Sequence, residues 1–260
     1  MTSTTRIGQA SPLADTRIMI GRSVRHIVRS TDALILSVVL PVAILLLFVY
    51  VFGGAISTDT AYINYVVPGI ILLTAGFGAA LTATAVNADL TEGLMDRLRS
   101  MPIKASAAVT GHVAASMVRN LLVTALVFGV ALAIGFRPQA GPWAWVGVIG
   151  ILSLFVLTIT WISVILGLVA RSVDAASGFA FFVAFVPYVS SAFVPTDTMP
   201  TVLRAIADHQ PVTPIIETAR GLLLATPVGD NAWLAVAWCA GILLVAVPTA
   251  SALFRNRTST

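Results

Sequence analysis

The sequence predicts an all-α integral membrane protein. Six transmembrane helices are expected, with an N-terminal interfacial amphipathic helix, a short cytoplasmic helix and two short outer re-entrant helices. Three observations carry this expectation. Hydrophobic residues make up 58% of the 260 residues and charged residues only 10%, whereas a soluble domain is roughly 25% charged. The apolar residues gather into six stretches of bilayer length, and the basic residues fall almost all on one side of them. Such a chain has too little polar side chain to cover itself in water, which excludes intrinsic disorder and an ordinary cytosolic enzyme. Cys239 is the single cysteine, so neither an internal disulfide nor a cysteine-based metal site is possible.

A membrane helix needs roughly 20 mostly apolar residues. The qualifying stretches are Ala33–Ile56, Tyr62–Val86, Met117–Gly135, Trp143–Ala170, Ala175–Val194 and Ala232–Phe254. They hold almost no charge; Arg119, near the start of the third, is the exception. Pro41, Pro68, Pro187 and Pro248 lie inside them and are tolerated in lipid, where neighbouring groups re-satisfy the backbone. Gly53, Gly54 and Ala55 before Ser57 loosely resemble a signal cleavage region. The apolar run before them is longer than a signal core and follows a long basic segment, so it is expected to remain as a span.

Orientation follows from arginine. Arg6, Arg17, Arg22, Arg25 and Arg29 precede the first span. Arg97, Arg99, Lys104 and Arg119 cluster around the second connection, Arg171 lies between the fourth and fifth spans, and Arg255 and Arg257 follow the sixth. With six crossings all of these share one side. The other side holds only Arg137, Arg204 and Arg220, offset by Asp59, Asp197, Asp208, Glu217 and Asp230. The positive-inside rule then places both termini in the cytoplasm; the chain is expected in the cell inner (cytoplasmic) membrane. Tyr50, Tyr62, Tyr65, Trp143, Trp145, Tyr188 and Trp233 agree, since all sit near outer span ends, where amphipathic rings favour the headgroup zone. An eight-crossing arrangement would drive Arg204, Asp208, Glu217 and Arg220 through the bilayer at high cost. The expected organisation is a cytoplasmic N-terminus over 1–32, one six-span domain over 33–254 and a cytoplasmic tail over 255–260.

Outside the spans, Leu13–Arg29 is amphipathic at helical period. Ile20, Val24, Ile27 and Val28 share one face and Arg22, Arg25 and Arg29 the opposite one. Such a helix lies in the interface plane with its arginines toward anionic headgroups; a plain basic anchor that sets topology reads the same way. In the inner loop 87–116, Leu90, Leu94, Leu98 and Met101 line one helical face, and Asp89, Glu92 and Asp96 another. Asp89 with Glu92 resembles a capping box, and Pro102 discourages continuation. The apolar seam either rests on the spans and lipid or docks a cytosolic partner. The outer segment 195–231 is divided by Pro195, Pro200, Pro211, Pro214 and Pro227. Within it, Thr201–Asp208 and Ile215–Ala225 have helical composition with apolar and charged faces. They read as short helices dipping into the outer interface, where they cap an opening, or as a surface loop.

Chemistry is sparse. His26, His112 and His209 are scattered without metal-ligand spacing. No phosphate-binding G-x-x-x-x-G-K-[ST] loop exists, and the only lysine, Lys104, follows Ile103. No G-x-S-x-G elbow occurs. Carboxylates, which proton-coupled carriers place inside the membrane, only border the spans at Asp89 and Asp174. These absences count against a proton-coupled carrier and a membrane enzyme, and leave the chain without a visible energy source.

Taken together, these pieces resemble the type-2 ABC exporter permeases. The run Leu90-Thr91-Glu92-Gly93-Leu94-Met95-Asp96-Arg97-Leu98-Arg99-Ser100-Met101-Pro102 is similar to that family's signature of glutamate, glycine, a hydrophobic residue, arginine, a small residue and Met/Thr-Pro. Phe193-Val194-Pro195, Met199-Pro200, His209-Gln210-Pro211-Val212-Thr213-Pro214 and Ala219-Arg220-Gly221-Leu222 resemble the daunorubicin-resistance permease subgroup, a multidrug efflux class. The likeness runs over about residues 15–255. Glu92-Gly93 departs from many members in its acidic Asp-Leu-Thr context, which bears on partner pairing.

The resemblance implies a half-transporter. Two permease chains pair as a homodimer, and Gly76, Gly78, Ala79 and Ala80 would allow close helix approach. Two copies of a separate ATP-binding subunit dock beneath and hold the ATP and Mg; this chain carries no cofactor, metal or catalytic site of its own. The coupling helix, with Leu90, Glu92, Gly93, Leu94, Arg97 and Leu98, passes ATP-driven closure upward. An amphiphilic cargo such as a drug, an antibiotic or a lipid-like molecule is then released outward. The alternative within the same scaffold is export of a polysaccharide or glycolipid envelope component.

Overall fold

The computed structural model describes residues 31–56, 58, 60–91 and 105–259, with side chains over 37–56, 58, 60–91 and 110–256. Arg22, Arg25 and Arg29, expected on an interfacial helix, lie outside the described residues, as do Glu92, Gly93, Leu94, Arg97 and Leu98 of the expected coupling helix. What is described is helical throughout, joined by turns and short irregular segments. The helices are α1 (Thr31–Leu46), α2 (Tyr62–Thr91), α3 (Ala105–Ala133), α4 (Pro142–Val169), α5 (Val173–Phe185), α6 (Thr201–His209), α7 (Val212–Leu224) and α8 (Asn231–Ser259). A π-helical stretch, Leu47–Phe52, extends α1, and a 3-10 turn, Val186–Val189, extends α5.

Among the described residues, α2, α3, α4 and α8 are long and apolar enough to cross a membrane, and Ser37–Phe52 and Val173–Val189 are shorter apolar helices. The prolines fall where lipid-embedded helices tolerate them: Pro41 inside α1, Pro68 inside α2 and Pro248 inside α8. Elsewhere the chain follows ordinary helix punctuation. Pro142 opens α4 behind Gly141, a position where its missing N–H costs nothing. The Ser172 hydroxyl caps α5 by accepting from the Ala175 amide at 3.1 Å. Gly135, at φ 117°, lets the chain leave α3.

The helix ends differ from the apolar limits in several places. α3 starts at Ala105 rather than Met117, because the alanine-rich run before Met117 favours helix whether or not lipid surrounds it. α2 likewise continues to Thr91, so Asp89 lies inside a helix and is not the cap of a new one. The fifth apolar stretch stops being helical at Val189, short of Val194. Pro187 cannot donate to the preceding turn, and Ser190 is extended.

α2 is the axis of the bundle. Of its most apolar window 83% is enclosed, against 22% for α8. It packs on α4, α5, α3 and α1, while α8 lies against α4 and α7. In lipid there is little hydrophobic drive between helices, so close backbone approach over small residues does the work. A Cβ on Gly69 would meet the Ala192 Cα at 2.7 Å, and one on Gly76 the Ala184 Cα at 3.4 Å. One on Gly167 of α4 would meet the Ala83 carbonyl oxygen at 2.5 Å. The small residues of α2 expected to serve pairing between chains therefore act largely within one chain: Gly76 faces α5, Gly78 faces Asn120 and Ala79 is in the core.

Two apolar clusters result. The larger joins α2 to α1, α3, α4, α7 and the turn at 192–193. The smaller, around Val86, Val113, Val164, Leu168, Ala250 and Phe254, lies at the other end of the bundle.

Candidate functional site

The segment after α5 has to turn without regular hydrogen bonding, and its backbone groups need partners. Ser190 supplies the first locally: its hydroxyl donates to the Pro187 carbonyl, and the Ala192 amide donates back to that hydroxyl at 3.2 Å. Side chains from distant elements supply others. Tyr62 Oη, at the start of α2, donates to the Phe193 carbonyl at 3.0 Å. Arg220 of α7 donates through Nη2 to the Ser191 carbonyl at 2.7 Å. The same guanidinium donates through Nε to the Tyr65 carbonyl at 3.1 Å, pairs through Nη1 with Glu217, and covers the Tyr65 ring. Arg220 is only 7% exposed. One planar fork thus ties α2, α7 and the turn together, which a point-charge ammonium could not do. Rings continue the join: Phe48, Phe193, Tyr188, Phe185 and Phe181 follow one another at centroid spacings of 4.2, 5.2, 5.0 and 4.7 Å.

The proline-punctuated segment closes this end as a cap. Pro195 precedes the 3-10 turn Thr196–Thr198, Pro200 precedes α6, Pro211 precedes α7 and Pro214 sits in the first turn of α7. Gln210 donates to the Val189 carbonyl and the Thr213 hydroxyl to the Ala207 carbonyl. Gly221 accommodates the return of the chain, since a Cβ there would meet Val228 Cγ2 at 2.8 Å. Ala225, in the left-handed region at φ 55°, ends α7. The helix expected over Ile215–Ala225 therefore begins earlier, at Val212. It is also no amphipathic surface helix: most of it is enclosed, and its two charged residues pair with each other. α6 is helical over Thr201–His209, one residue past the helix expected over Thr201–Asp208. Val202 is 73% exposed, and Leu203 and Ile206 are exposed beside it. Arg204 and Asp208 form an exposed pair at 3.5 Å, a contact worth little in water.

Beside the Arg220 knot lies an open depression of about 1110 Å³, lined by Tyr65, Ser191, Asp197, Glu217, Arg220 and Trp238 among others. Its lining mixes the ionisable Asp197, Asp208, His209, Glu217 and Arg220 with the aromatic Tyr65 and Trp238. No group of three or more His, Cys, Asp or Glu is placed to hold a metal among the described residues.

At the opposite end, α2 and α3 are joined across the segment 92–104. His112 Nε2 lies 2.7 Å from Asp89 Oδ2. Asn87 Nδ2 donates to the Gly167 and Ala170 carbonyls at 3.0 and 2.9 Å, satisfying acceptors that the C-terminus of α4 leaves unpaired. Leu90, expected on a docking face, packs half-buried against the smaller apolar cluster of the chain itself. Further along, Thr82 and Ser116 hydroxyls lie 2.5 Å apart, and Arg119 Nη2 donates to the Gly78 carbonyl at 2.9 Å and to Thr82 at 3.1 Å. Sequence reading passed over Asn87, Thr82, Ser116 and Asn120. Their signal was polar residues recurring at i, i+4 within apolar runs, as in Ser116 and Asn120.

The arrangement defines a class: a helical bundle with a buried axial helix, four helices long and apolar enough to cross a membrane among the described residues, and a proline-punctuated segment packed at one end. The chain belongs to the ABC-2 type transporter family, whose model matches residues 14–224. It is 30% identical over 224 residues to the "Daunorubicin resistance ABC transporter permease protein DrrB1" of Streptomyces coeruleorubidus, covering 85% of this chain and 79% of that protein. It is 25% identical over 252 residues to the "Probable doxorubicin resistance ABC transporter permease protein DrrC" of Mycobacterium tuberculosis, covering 95% of this chain and 90% of that one.

Proposed function

We propose that this chain is the permease subunit of an ATP-binding cassette exporter that moves an amphiphilic drug, antibiotic or lipid-like molecule out of the cell. The observation that carries this reading is family membership across residues 14–224, joined to relatives named for daunorubicin and doxorubicin resistance over most of their own length. In this reading α1 to α5 and α8 are six spans of the inner membrane, the termini are cytoplasmic, and the cap of α6 and α7 is the outer re-entrant segment. Two copies pair, and a separate subunit binds ATP and Mg.

The mechanism needs a rigid lever. The pair Asp89–His112 clamps the end of α2 to α3 on either side of residues 92–104. A push delivered there by an ATPase, at Glu92, Gly93, Leu94, Arg97 and Leu98, is shared by both helices. α2, enclosed by its neighbours, then carries the movement to Tyr62 and Tyr65, where Arg220 ties it to the cap. The depression beside Arg220 is where an amphiphile leaves.

The test is co-expression with a candidate ABC nucleotide-binding subunit from the same genome, in cells loaded with a fluorescent anthracycline. Both chains together should lower drug accumulation, and neither alone should. Purified permease alone should hydrolyse ATP only at background. Hydrolysis by the permease alone would reject the split arrangement. Unchanged accumulation of anthracyclines and of lipid-like substrates in cells holding the assembled complex would reject drug export.

A further inference from the structure

Arg119 is a cation without a counter-charge. Its guanidinium rests on Gly78 and Thr82 through Nη2 alone, its Nε is enclosed without a hydrogen-bond partner, and no carboxylate lies within 4 Å among the described residues. An arginine carries five N–H donors, and an unpaired charge away from water is costly. At the membrane interface a cation that no carboxylate answers attracts anionic lipid headgroups.

Its surroundings specify the ligand. On α3, Leu122 and Leu126 follow Arg119 at i+3 and i+7, so the three share one stripe of the helix. Leu122 is 46% and Leu126 56% exposed. A cation therefore stands at one end of an uncovered apolar strip. The depth follows from helix rise. From Tyr62 to Thr82 is about 30 Å along α2, the thickness of the hydrocarbon layer. With Tyr62 at the outer headgroups, Arg119 is level with the inner ones, and Leu122 and Leu126 run from there toward the midplane.

We propose that Arg119 binds the phosphate of an anionic phospholipid of the inner leaflet, whose acyl chain lies along Leu122 and Leu126. The charge of the headgroup complements the unpaired guanidinium, and the direction of the strip matches a lipid of that leaflet. This rests on the topology proposed above. The lipid is a fixed counter-ion beside the α2–α3 pair that carries the coupling movement, which makes transport dependent on the charge of the membrane.

The experiment uses the assembled permease–ATPase complex in nanodiscs, with phosphatidylglycerol and phosphatidylcholine probes bearing a photoactivatable diazirine near the end of one acyl chain. The phosphatidylglycerol probe should label the α3 peptide containing Leu122 and Leu126, and excess unlabelled phosphatidylglycerol should compete. Labelling should fall about tenfold in R119Q, the scale of one lost charged hydrogen-bond partner, and be partly kept in R119K. Equal labelling by the phosphatidylcholine probe would overturn the proposal. So would competition by inorganic phosphate, or undiminished labelling in an R119Q complex that is merely less stable. If R119Q does not assemble, the comparison of the two probes on the native complex and on R119K decides. Topology is read separately, with Thr91→Cys in a Cys239→Ala background. An impermeant maleimide should reach it only in inverted vesicles, and reaction from the outside would sink the topology and leave any lipid selectivity to be read on its own.

Discussion

The guanidinium carbon of Arg220 lies 3.8 Å from the centre of the Tyr65 ring while its Nε donates to the carbonyl of that same residue. Arg220 therefore holds Tyr65 by ring and backbone together, and with its remaining arms holds Ser191 and Glu217. A charge this enclosed is stable only while every arm is occupied.

Replacement of Arg220 should be costly even when charge is kept. R220K retains a cation but loses the planar fork and the broad ring contact. It should insert normally yet lose on the order of 3 kcal/mol, the scale for breaking a buried charged contact, with R220A at least as damaged. Thermal unfolding in detergent reads this. R220K unfolding at the native temperature would show that the knot contributes little.

Glycine positions on α2 and α3 should respond in opposite directions. Gly69→Val forces a Cβ onto Ala192 at 2.7 Å and should destabilise by about 1–3 kcal/mol, the cost of overpacking. Gly129→Ala meets nothing within 4 Å and should stabilise by up to about 1 kcal/mol through helix propensity. Equal melting temperatures for the two variants would contradict the packing described.

Asn87→Leu strands the Gly167 and Ala170 carbonyls in a closed site. The expected loss is about 1–3 kcal/mol. Hydrogen exchange should rise locally at the end of α4, around 166–171, while α8 is unchanged. A uniform rise across the chain would point to a global effect instead.

For residues 92–104, proposed to dock the ATPase on the cytoplasmic side, Leu94→Asp with Leu98→Asp should leave the permease inserted and its proposed pairing intact but abolish co-purification with the ATPase and export. Glu92→Lys should weaken the complex in a salt-dependent way, since exposed charge pairs are screened over about 10 Å at 0.1 M salt. Undiminished pull-down and export by the double variant would end the docking assignment.

Reporter fusions at Thr260 and near Asp197 should read inside and outside respectively. The motive is the gathering of basic residues at the ends and in the connections 87–116 and 171–174. The reverse pattern would invert both the cap and the coupling segment.

Much of the helical layout was legible because hydropathy reports burial in lipid directly. α4 begins at Pro142 and ends at Val169, one residue from the apolar stretch Trp143–Ala170 at either end. The start of α3 was not legible, because Ala105–Ser116 is helical for reasons of propensity and not of hydropathy. Nor was the reversal at Ser190, since Pro187 is compatible with either a kink or a stop. Arg220 stood out as part of a motif, but its burial was concealed: a charged residue in a proline-rich loop reads as solvated until the fold brings Tyr65 and Ser191 to it.

By itself the sequence determined the solvent this protein lives in, the approximate position of each long helix and the family, because composition, hydropathy and short motifs are local properties that need no partner. The tertiary structure decided which helix is central, what the cap motif holds and where Arg119 and Asn87 find or lack partners. Those depend on residues far apart in the chain, such as Arg220 and Tyr65 or Asn87 and Gly167, meeting at hydrogen-bond distance, and no local pattern encodes that meeting.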